Sequence, residues 1–305
     1  MEVYLAQPRG FCAGVRRALA IVAETLYKYG APIYVRHEIV HNKHVIEDLK
    51  KQGVVFIDEL CELTDYLRPV IFSAHGVSQE VYFQAKQMGI KIIDATCPLV
   101  QAVHTRVKKL EQSGCDIIVI GKPTHPEILG TIGQLQDAGK AHIVTMVEDA
   151  ENLSFSADVK LGLVTQTTLA IDDTQEIMSV LTQKFPVLAT LTKANICFAT
   201  TNRQRAVQEL VRHAPYILII GSKNSSNSTH LREAALRYGA KKAWLIDDVS
   251  EIDWNALKTV SSLGITAGAS APDYLIDGLL KKLHQRYANL NIHDVITAKE
   301  DVMFK

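Results

Sequence analysis

The sequence predicts an α/β fold of three small modules, each with a mainly parallel sheet, in a pseudo-threefold arrangement around a central site. Two observations carry this prediction. A unit that begins with a cysteine and an amphipathic helix occurs three times, and each copy continues with alternating strands and helices. Such alternation is typical of right-handed crossovers between parallel strands. We expect modules at residues 1–96, 97–196 and 197–281, and a tail at 282–305.

In the first two copies, the spacing of the apolar residues predicts a helix. The stripe after Cys12 has helical period and stops at Gly30. The stripe after Cys97 opens with Pro98, a residue suited to a first helical turn, and stops at Gly114. Glycine often ends helices because it adopts a left-handed backbone without strain. We therefore predict a helix directly after each of these cysteines.

The third copy repeats the pattern after Cys197. Thr200 and Thr201 are of a residue type that caps helix N-termini, so we expect the helix to begin beside them. The apolar stripe ends ahead of Pro215, which cannot continue a helix.

Each helix is followed by a short strand and a polar loop at nearly the same distance from its cysteine. These loops carry His41 in HEIVHN, His125 in KPTHPE and Ser225 in SKNSSN. Later in each copy an apolar strand ends in two acids: Asp58 and Glu59, Glu148 and Asp149, and Asp247 and Asp248. A further strand then leads to a second polar loop, which carries His75, or Thr167 and Thr168, or Ser270.

These six loops predict an anion pocket. Ligands of parallel sheets bind beyond the carboxyl ends of the strands, where loops and helix N-termini supply hydrogen-bond donors. Neutral donors can hold a diphosphate there without a lysine clamp. The alternative for each side chain is an ordinary surface or capping role, which we assign to His44 and His104. The donors assigned to the pocket are His41, His75, His125, Thr168, Ser225, Asn227 and Ser270.

Composition excludes several classes of function. The 305 residues are 47% hydrophobic and carry zero formal net charge, without a Lys/Arg block, so neither a nucleic-acid track nor a polybasic membrane anchor is expected. The N-terminus lacks a secretory apolar core, and the apolar runs are too short to span a bilayer. Five dispersed cysteines fit reduced thiols better than a disulfide framework. We expect a soluble cytoplasmic protein whose partners are small or transient.

The three repeat cysteines are candidate metal ligands, because a helix N-terminus favours thiolate and anionic clusters. A small buried hydrophobic role is the alternative, and we assign it to Cys61 and Cys115, which lie off the repeat. Three thiolates on a four-iron cluster would leave one iron open to a substrate oxygen. A site of three cysteines and one histidine for zinc is the competing arrangement.

Glu127, in the sequence THPE, is the one carboxylate that falls within the predicted pocket. It is the natural proton source, and the hydroxyl of Thr167 could help to pass the proton. The alternative for Glu127 is a first-turn acid that complements the helix dipole. The residues alone leave both readings open.

Seven motifs in this order resemble the 4-hydroxy-3-methylbut-2-enyl diphosphate reductase family of the non-mevalonate isoprenoid pathway: RGFCAGVRRA, DATCPLV, PTHPE, TQTT, ATTNRQ, GSKNSSNS and TAGASAPD. The resemblance covers residues 1–281, and motifs of this length are highly specific. It implies a trefoil of three α/β modules around a [4Fe-4S] cluster with one open iron. Family members often continue a few residues beyond the end seen here.

The resemblance also implies roles for individual residues. Cys12, Cys97 and Cys197 would bind the cluster, and Glu127 and Thr167 would deliver protons. The reaction implied is a two-electron reductive dehydroxylation of (E)-4-hydroxy-3-methylbut-2-enyl diphosphate to isopentenyl and dimethylallyl diphosphate, with electrons from a ferredoxin or flavodoxin. The diphosphate would be held by His41, His75, His125, Thr168, Ser225, Ser226, Asn227 and Ser270.

Two functions of other classes remain as alternatives. A non-redox iron–sulfur dehydratase acting on a phosphorylated alcohol could use the same open iron without electrons. A redox-sensing binding protein would bind ligand without turning it over. Requirement for a reductant separates the first alternative from the reductase, and absence of turnover identifies the second.

Overall fold

The computed structural model describes residues 1–190 and 195–304, and in this part of the chain it contains twelve strands and eleven α-helices. The strands are β1 (Glu2–Gln7), β2 (Ile33–Arg36), β3 (Val54–Ile57), β4 (Val70–Phe72), β5 (Ile92–Asp94), β6 (Cys115–Ile120), β7 (Ala141–Val144), β8 (Lys160–Thr165), β9 (Tyr216–Ile220), β10 (Lys242–Ile246), β11 (Ser262–Ala267) and β12 (Asn291–Ile296).

The helices are α1 (Ala13–Tyr29), α2 (Lys43–Lys51), α3 (Gln79–Gln87), α4 (Pro98–Gln112), α5 (Pro126–Ile132), α6 (Val147–Asn152), α7 (Ile171–Lys184), α8 (Phe198–His213), α9 (Ser226–Arg237), α10 (Trp254–Leu257) and α11 (Asp273–Arg286). Across the described residues, none of these helices combines the length and the apolar character needed to cross a membrane.

Three parallel sheets confirm the predicted α/β fold of three modules. Their strand orders are β10-β9-β11-β1-β12, β3-β2-β4-β5 and β7-β6-β8. The chain forms two compact units: the first, unit 1, comprises Met1–Arg16, Val40–Leu49 and Phe198–Lys305, and the second, unit 2, comprises Arg17–Ile39 and Lys50–Cys197. The five-stranded sheet belongs to unit 1, and the other two sheets belong to unit 2.

The five-stranded sheet takes strands from both ends of the chain. β1 lies between β11 and β12 and pairs parallel with both. Residues 2–7 of the predicted first module and 291–296 of the predicted tail thus pair in one sheet with strands of the third. The module boundaries themselves stay predictions.

Strand β9 shows why helices cover both faces of this sheet. Leu218 and Ile220 pack in the core that α11 closes, whereas Ile217 and Ile219 pack in the core that α8 and α9 close. All four side chains are buried. A strand buried on both faces reads as a continuous apolar run, here YILII, because both alternating faces need apolar residues.

Unit 2 repeats this construction on a smaller scale. In β6, Ile117 and Val119 pack against α4, and Ile118 and Ile120 pack in the core closed by α7. The helices predicted after Cys12 and Cys97 are confirmed. Each ends ahead of a glycine with positive φ, Gly30 or Gly114, as the sequence predicted.

Four local predictions are wrong. Thr200 and Thr201 lie inside α8, which begins at Phe198, so neither threonine is its N-cap. Glu148 and Asp149 do not end a strand, since β7 stops at Val144 and the two acids lie in α6, where Asp149 accepts hydrogen bonds from the amides that precede the helix.

Cys61 is the third error. It was assigned to packing but is exposed in a short 3-10 turn. Cys115, assigned likewise, is buried at the start of β6, as expected. His104 is the fourth error: it was assigned a surface or capping role, but it is buried within α4 and caps neither end.

Candidate functional site

The three repeat cysteines have the same backbone surroundings. The amide of each donates a hydrogen bond of 3.0 Å to the carbonyl of the second residue after a strand: Cys12 to Ala269 after β11, Cys97 to Ala74 after β4, and Cys197 to Thr167 after β8. The next residue along each of these loops is a predicted diphosphate ligand, Ser270, His75 or Thr168. Each cysteine is therefore held beside a polar loop within its own unit.

Each of these cysteines also directly precedes a helix, α1, α4 or α8. All three are partly exposed, whereas Cys115 is buried, and none of the five cysteines, all within the described residues, is in a disulfide. A thiol at a helix N-terminus ionises more readily, because the dipole and the unpaired amides favour the thiolate. The three side chains are chemically suited to bind an iron–sulfur cluster.

Within residues 1–190 and 195–304, no three His, Cys, Asp or Glu side chains are arranged to hold a single metal ion. A cluster makes a different demand, because each thiolate binds a different iron. Thiolates are the protein ligands that such a cluster uses.

In unit 1, hydrogen bonds between side chains and the backbone bring three predicted loops together. The hydroxyl of Ser270 donates to the carbonyl of His41 at 2.9 Å, and Asn227 Oδ1 accepts from the amide of Ala269 at 2.8 Å. The same Ala269 accepts from Cys12. His41, Asn227, Ser270 and Cys12 are thus neighbours in one hydrogen-bonded group.

The acids after β10 anchor the loop that carries His41. The hydroxyl of Ser222 donates to Asp247 at 2.5 Å and accepts from the amide of Lys43 at 3.1 Å. Asp248 lies 2.9 Å from Nε2 of His44, an ion-pair distance. The sequence assigned His44 an ordinary surface or capping role, and the structure places it partly exposed on α2.

Asn42 is a residue that sequence reasoning missed. Its Oδ1 caps α2 by accepting from the amide of Val45 at 3.1 Å, so Asn42 occupies the capping position that His125 and Ser225 occupy on α5 and α9. Its Nδ2 is buried without a partner in the described part of the chain. The letters HN in HEIVHN could have indicated this cap, because asparagine is a favoured N-cap.

In unit 2, two predicted histidines lie side by side. The rings of His75 and His125 pack edge to face with centroids 5.7 Å apart. Nδ1 of His125 accepts from the amide of Glu127 at 3.1 Å, and Nδ1 of His75 lies 3.3 Å from the hydroxyl of Ser73. Nδ1 of His125 therefore serves as the N-cap of α5.

Glu127 is the most perturbed carboxyl of the site. It is 2% exposed, and its two oxygens accept from Thr167, Oε1 from the amide at 2.7 Å and Oε2 from the hydroxyl at 2.9 Å. Burial raises the pKa of Glu127 to about 7, and the two hydrogen bonds from Thr167 oppose that rise. A carboxyl with this pKa carries a proton that it can give up near neutral pH.

The remaining predicted ligands lie at the same loops. The hydroxyl of Thr168 accepts a hydrogen bond from Nε2 of Gln166 at 2.9 Å. Oε1 of Gln166 accepts another from the amide of Lys122 at 3.1 Å. Gln166 is 1% exposed and was not singled out by the sequence, in which a single glutamine carries no pattern. Ser225 caps α9, and Ser226 lies 3.4 Å from His230 on the same helix.

Comparison with known proteins decides which family has this arrangement. The sequence profile of the LytB protein family matches residues 3–284, almost the whole chain. The chain belongs to the LytB family. The resemblance predicted from its motifs is confirmed.

Curated relatives of this LytB chain carry one name. A protein of Phenylobacterium zucineum named 4-hydroxy-3-methylbut-2-enyl diphosphate reductase is 48% identical over 305 residues, covering 100% of this chain and 96% of that protein. A protein of the same name from Actinobacillus pleuropneumoniae is 50% identical over 285 residues, which cover 93% of this chain and 90% of that protein. Both are reductases, as the sequence predicted for the LytB chain.

Solved structures agree with the LytB assignment. The E-1-hydroxy-2-methyl-but-2-enyl-4-diphosphate reductase of Plasmodium falciparum superposes with a TM-score of 0.93 at 37% identity, over 98% of this chain and 93% of that one. A second structure is described as (E)-4-hydroxy-3-methyl-but-2-enyl diphosphate reductase, the terminal enzyme of the non-mevalonate pathway. It gives a TM-score of 0.64 at 30% identity, and the alignment covers 93% of this chain and 99% of that one.

Proposed function

We propose that this chain catalyses the two-electron reductive dehydroxylation of (E)-4-hydroxy-3-methylbut-2-enyl diphosphate to isopentenyl and dimethylallyl diphosphate. The allylic C–O bond breaks, a C–H bond forms and the oxygen leaves as water, so two electrons and two protons are consumed. The observation that carries the proposal is the buried Glu127–Thr167 pair, one hydrogen bond from the backbone of Cys197. The names of the full-length relatives support the substrate.

Cys12, Cys97 and Cys197 would hold a [4Fe-4S] cluster and leave one iron without a protein ligand. Their equivalent backbone surroundings at three helix N-termini support this role. When bound, the cluster supplies electrons one at a time and a Lewis-acidic iron for the hydroxyl group. The electrons would come from a ferredoxin or flavodoxin, and the reaction would take place in the cytoplasm.

The diphosphate would be bound by neutral donors and helix N-termini. Ser225 and His125 are the N-caps of α9 and α5, so the loops that carry these predicted ligands lead directly into the backbone amides of two helix N-termini. Helix N-termini attract anions through these amides and the helix dipole. The group of His41, Asn227 and Ser270 in unit 1 and the pair of His75 and His125 in unit 2 would each contribute, together with Thr168 and Ser226.

Glu127 would be the acid that protonates the leaving oxygen. Its raised pKa keeps a large fraction protonated at neutral pH, and Thr167 fixes the direction of the carboxyl group. The hydroxyl of Thr167 can pass a proton between Glu127 and the substrate because a hydroxyl both donates and accepts. The second proton, on carbon, would come from the bound diphosphate, the nearest acid once water has left.

An anaerobic assay of the iron–sulfur-reconstituted chain tests the proposal. With dithionite and a viologen mediator, we expect both isoprenoid diphosphates, and electron paramagnetic resonance signals that change when substrate is added. Turnover without any reductant would instead identify a dehydratase. Binding without turnover under every reductant would identify a binding protein, and either result would refute the proposed reaction.

A further inference from the structure

Arg203 lies at the centre of a buried polar network in unit 1. Its side chain is fully buried, and it sits on α8, six residues after Cys197. The guanidinium donates twice to the carbonyl of Gly10, from Nε at 3.2 Å and from Nη2 at 2.8 Å. Gly10 is two residues ahead of Cys12, so Arg203 holds the backbone that leads into that cysteine.

The charge of Arg203 is balanced from the far end of the chain. After β12, residues 297–304 form a C-terminal segment that is attached to β1 through Thr297, whose amide and hydroxyl both donate to the carbonyl of Gln7. From this segment Glu300 accepts from Nη1 of Arg203 at 3.0 and 3.1 Å and from Nδ2 of Asn202 at 3.2 Å. A buried cation needs such a partner, because an unpaired one is strongly destabilising.

Gly10 has a left-handed backbone conformation that favours glycine. Its φ is +68°, and a Cβ at this position would lie 2.5 Å from Oδ1 of Asp273. The same turn is fixed on its other side, where the amide of Gly10 donates to Ala267 and the amide of Cys12 to Ala269. The carbonyl of Cys12 accepts from the amide of Arg16, and the carbonyl of Gly10 is a further point at which residues 10–12 are held, by Arg203.

We propose that Arg203 and Glu300 are positioning residues for the Cys12 thiolate, so that the C-terminal segment is a working part of the proposed cluster site. This inference rests on the proposed function only where it concerns the reduction potential of a bound cluster. The planar fork of arginine fits the task, since two of its N–H groups hold the Gly10 carbonyl while a third faces the carboxylate. A lysine would keep the charge but could not make all of these bonds.

Two effects follow and can be separated. Loss of Glu300 frees Arg203 to reorient and leaves a positive charge unbalanced near Cys12. Loosening of residues 10–12 should raise the reactivity of the Cys12 thiol. The unbalanced charge should raise the reduction potential of a cluster bound there, because reduction adds a negative charge.

The first test measures alkylation of each cysteine in the metal-free chain by iodoacetamide, followed by peptide mass spectrometry. In Glu300→Gln we expect Cys12 to react about fivefold faster, as the loss of one hydrogen bond predicts. Cys97, in the same molecule, serves as the internal reference and should keep its rate. Asp301→Asn is the matched control, since it removes one carboxylate from an exposed neighbouring position.

The second test compares the reduction potentials of the reconstituted chains. Glu300→Gln should raise the potential above that of the parent and of Asp301→Asn. Arg203→Lys, which keeps the charge, should speed alkylation of Cys12 and shift the potential less. If Glu300→Gln fails to fold, Glu300→Asp, which keeps the charge on a shorter side chain, takes its place in the alkylation test.

An unchanged alkylation rate for Cys12, or an equal rise at Cys12 and Cys97, would overturn the positioning role. A potential that moves equally in Asp301→Asn would overturn the charge effect. The alkylation test needs neither cluster nor turnover. A parent chain that takes up no cluster would therefore refute the proposed function and leave the inference about residues 10–12 standing.

Discussion

Thr167 donates two hydrogen bonds to Glu127, one from its amide and one from its hydroxyl, and it accepts one from the amide of Cys197. One threonine thus fixes the direction of a buried carboxyl and links it to the backbone of a candidate cluster ligand. The arrangement has a clear purpose in a reduction that releases water, because a proton must reach the leaving oxygen at the site where electrons arrive.

Glu127→Gln should abolish most turnover without impairing binding. Glutamine keeps the shape and can still pair with Thr167, but it has no proton to give. We expect kcat to fall about 10²- to 10³-fold, within the range for loss of a general acid, with iron content and substrate Kd unchanged. Steady-state assays and calorimetric titration measure these quantities. Glu148→Gln, at an exposed position on α6, is the control, and near-normal kcat in Glu127→Gln would exclude the acid role.

The raised pKa of Glu127 also predicts how stability depends on pH. At low pH the carboxyl is protonated in both the folded and the unfolded chain. From about pH 4.5 the unfolded chain releases this proton, while the folded chain keeps it until about pH 7. Relative to that of Glu127→Gln, the free energy of unfolding should therefore fall by roughly 3 kcal/mol across this window. Above about pH 7 it should level off. Urea titrations of both proteins over this range measure the difference, and parallel curves would contradict the shift.

The local parts of the fold could be predicted because they are encoded in short patterns. The helix after Cys97 has an apolar stripe, a proline at its start and a glycine at its end, and the structure contains it. The helix after Cys197 was predicted to begin too late. α8 begins at Phe198, directly after Cys197, so the capping preference of the two threonines does not decide where it starts.

The long-range parts could not be predicted in this way. β12 is almost entirely exposed, with Val295 as its one buried residue, so its sequence has little strand pattern. Its pairing with β1 joins residues nearly the whole chain apart. The role of Glu300 depends on that pairing, and no local motif marks an acid as the partner of a buried arginine.

Cys97→Ser should prevent stable cluster assembly. A serine hydroxyl has the same size but is a much weaker ligand for iron than a thiolate. After anaerobic reconstitution we expect iron and sulfide per chain to fall well below the parent value. Cys61→Ser, at an exposed cysteine outside the repeat, should retain the parent value. Full iron and sulfide in Cys97→Ser would show that three cysteines are not required.

The buried side chain of His104 should make the free energy of unfolding depend on pH in the opposite direction. It is buried on α4 beneath the loop of His75, with its Cε1 at 2.6 Å from the position of a Cβ on Gly76. Burial lowers the pKa of His104 to about 4, and nearby Lys108 adds to that effect while Asp94 opposes it. Below pH 6.5 the unfolded chain takes up a proton that the folded chain refuses until about pH 4.

Stability should therefore be lost as the pH falls through this window, by roughly 3 kcal/mol. His104→Gln, which cannot take up the proton, should lose less stability than the parent over the same range. Chemical unfolding at several pH values provides the comparison. Equal losses in both proteins would mean that His104 is protonated in the folded chain.

Ser222 tests how the loop of His41 is held. Ser222→Ala removes both the acceptor for the amide of Lys43 and the donor to Asp247, and His41 lies two residues before Lys43. Loss of about 1 kcal/mol from one such bond should raise KM for the diphosphate about fivefold. Because Glu127, the proposed proton donor, is untouched, kcat should change little.

Hydrogen exchange of the amides at 40–46 tests the cause of that rise in KM, since a loosened loop exchanges faster. Ser179→Ala, at an exposed position on α7, should leave both quantities at the parent values. A higher KM without faster exchange would mean that Ser222 contacts the diphosphate itself. An unchanged KM with faster exchange would mean that the loop does not limit binding, and His41 would then have no part in holding the anion.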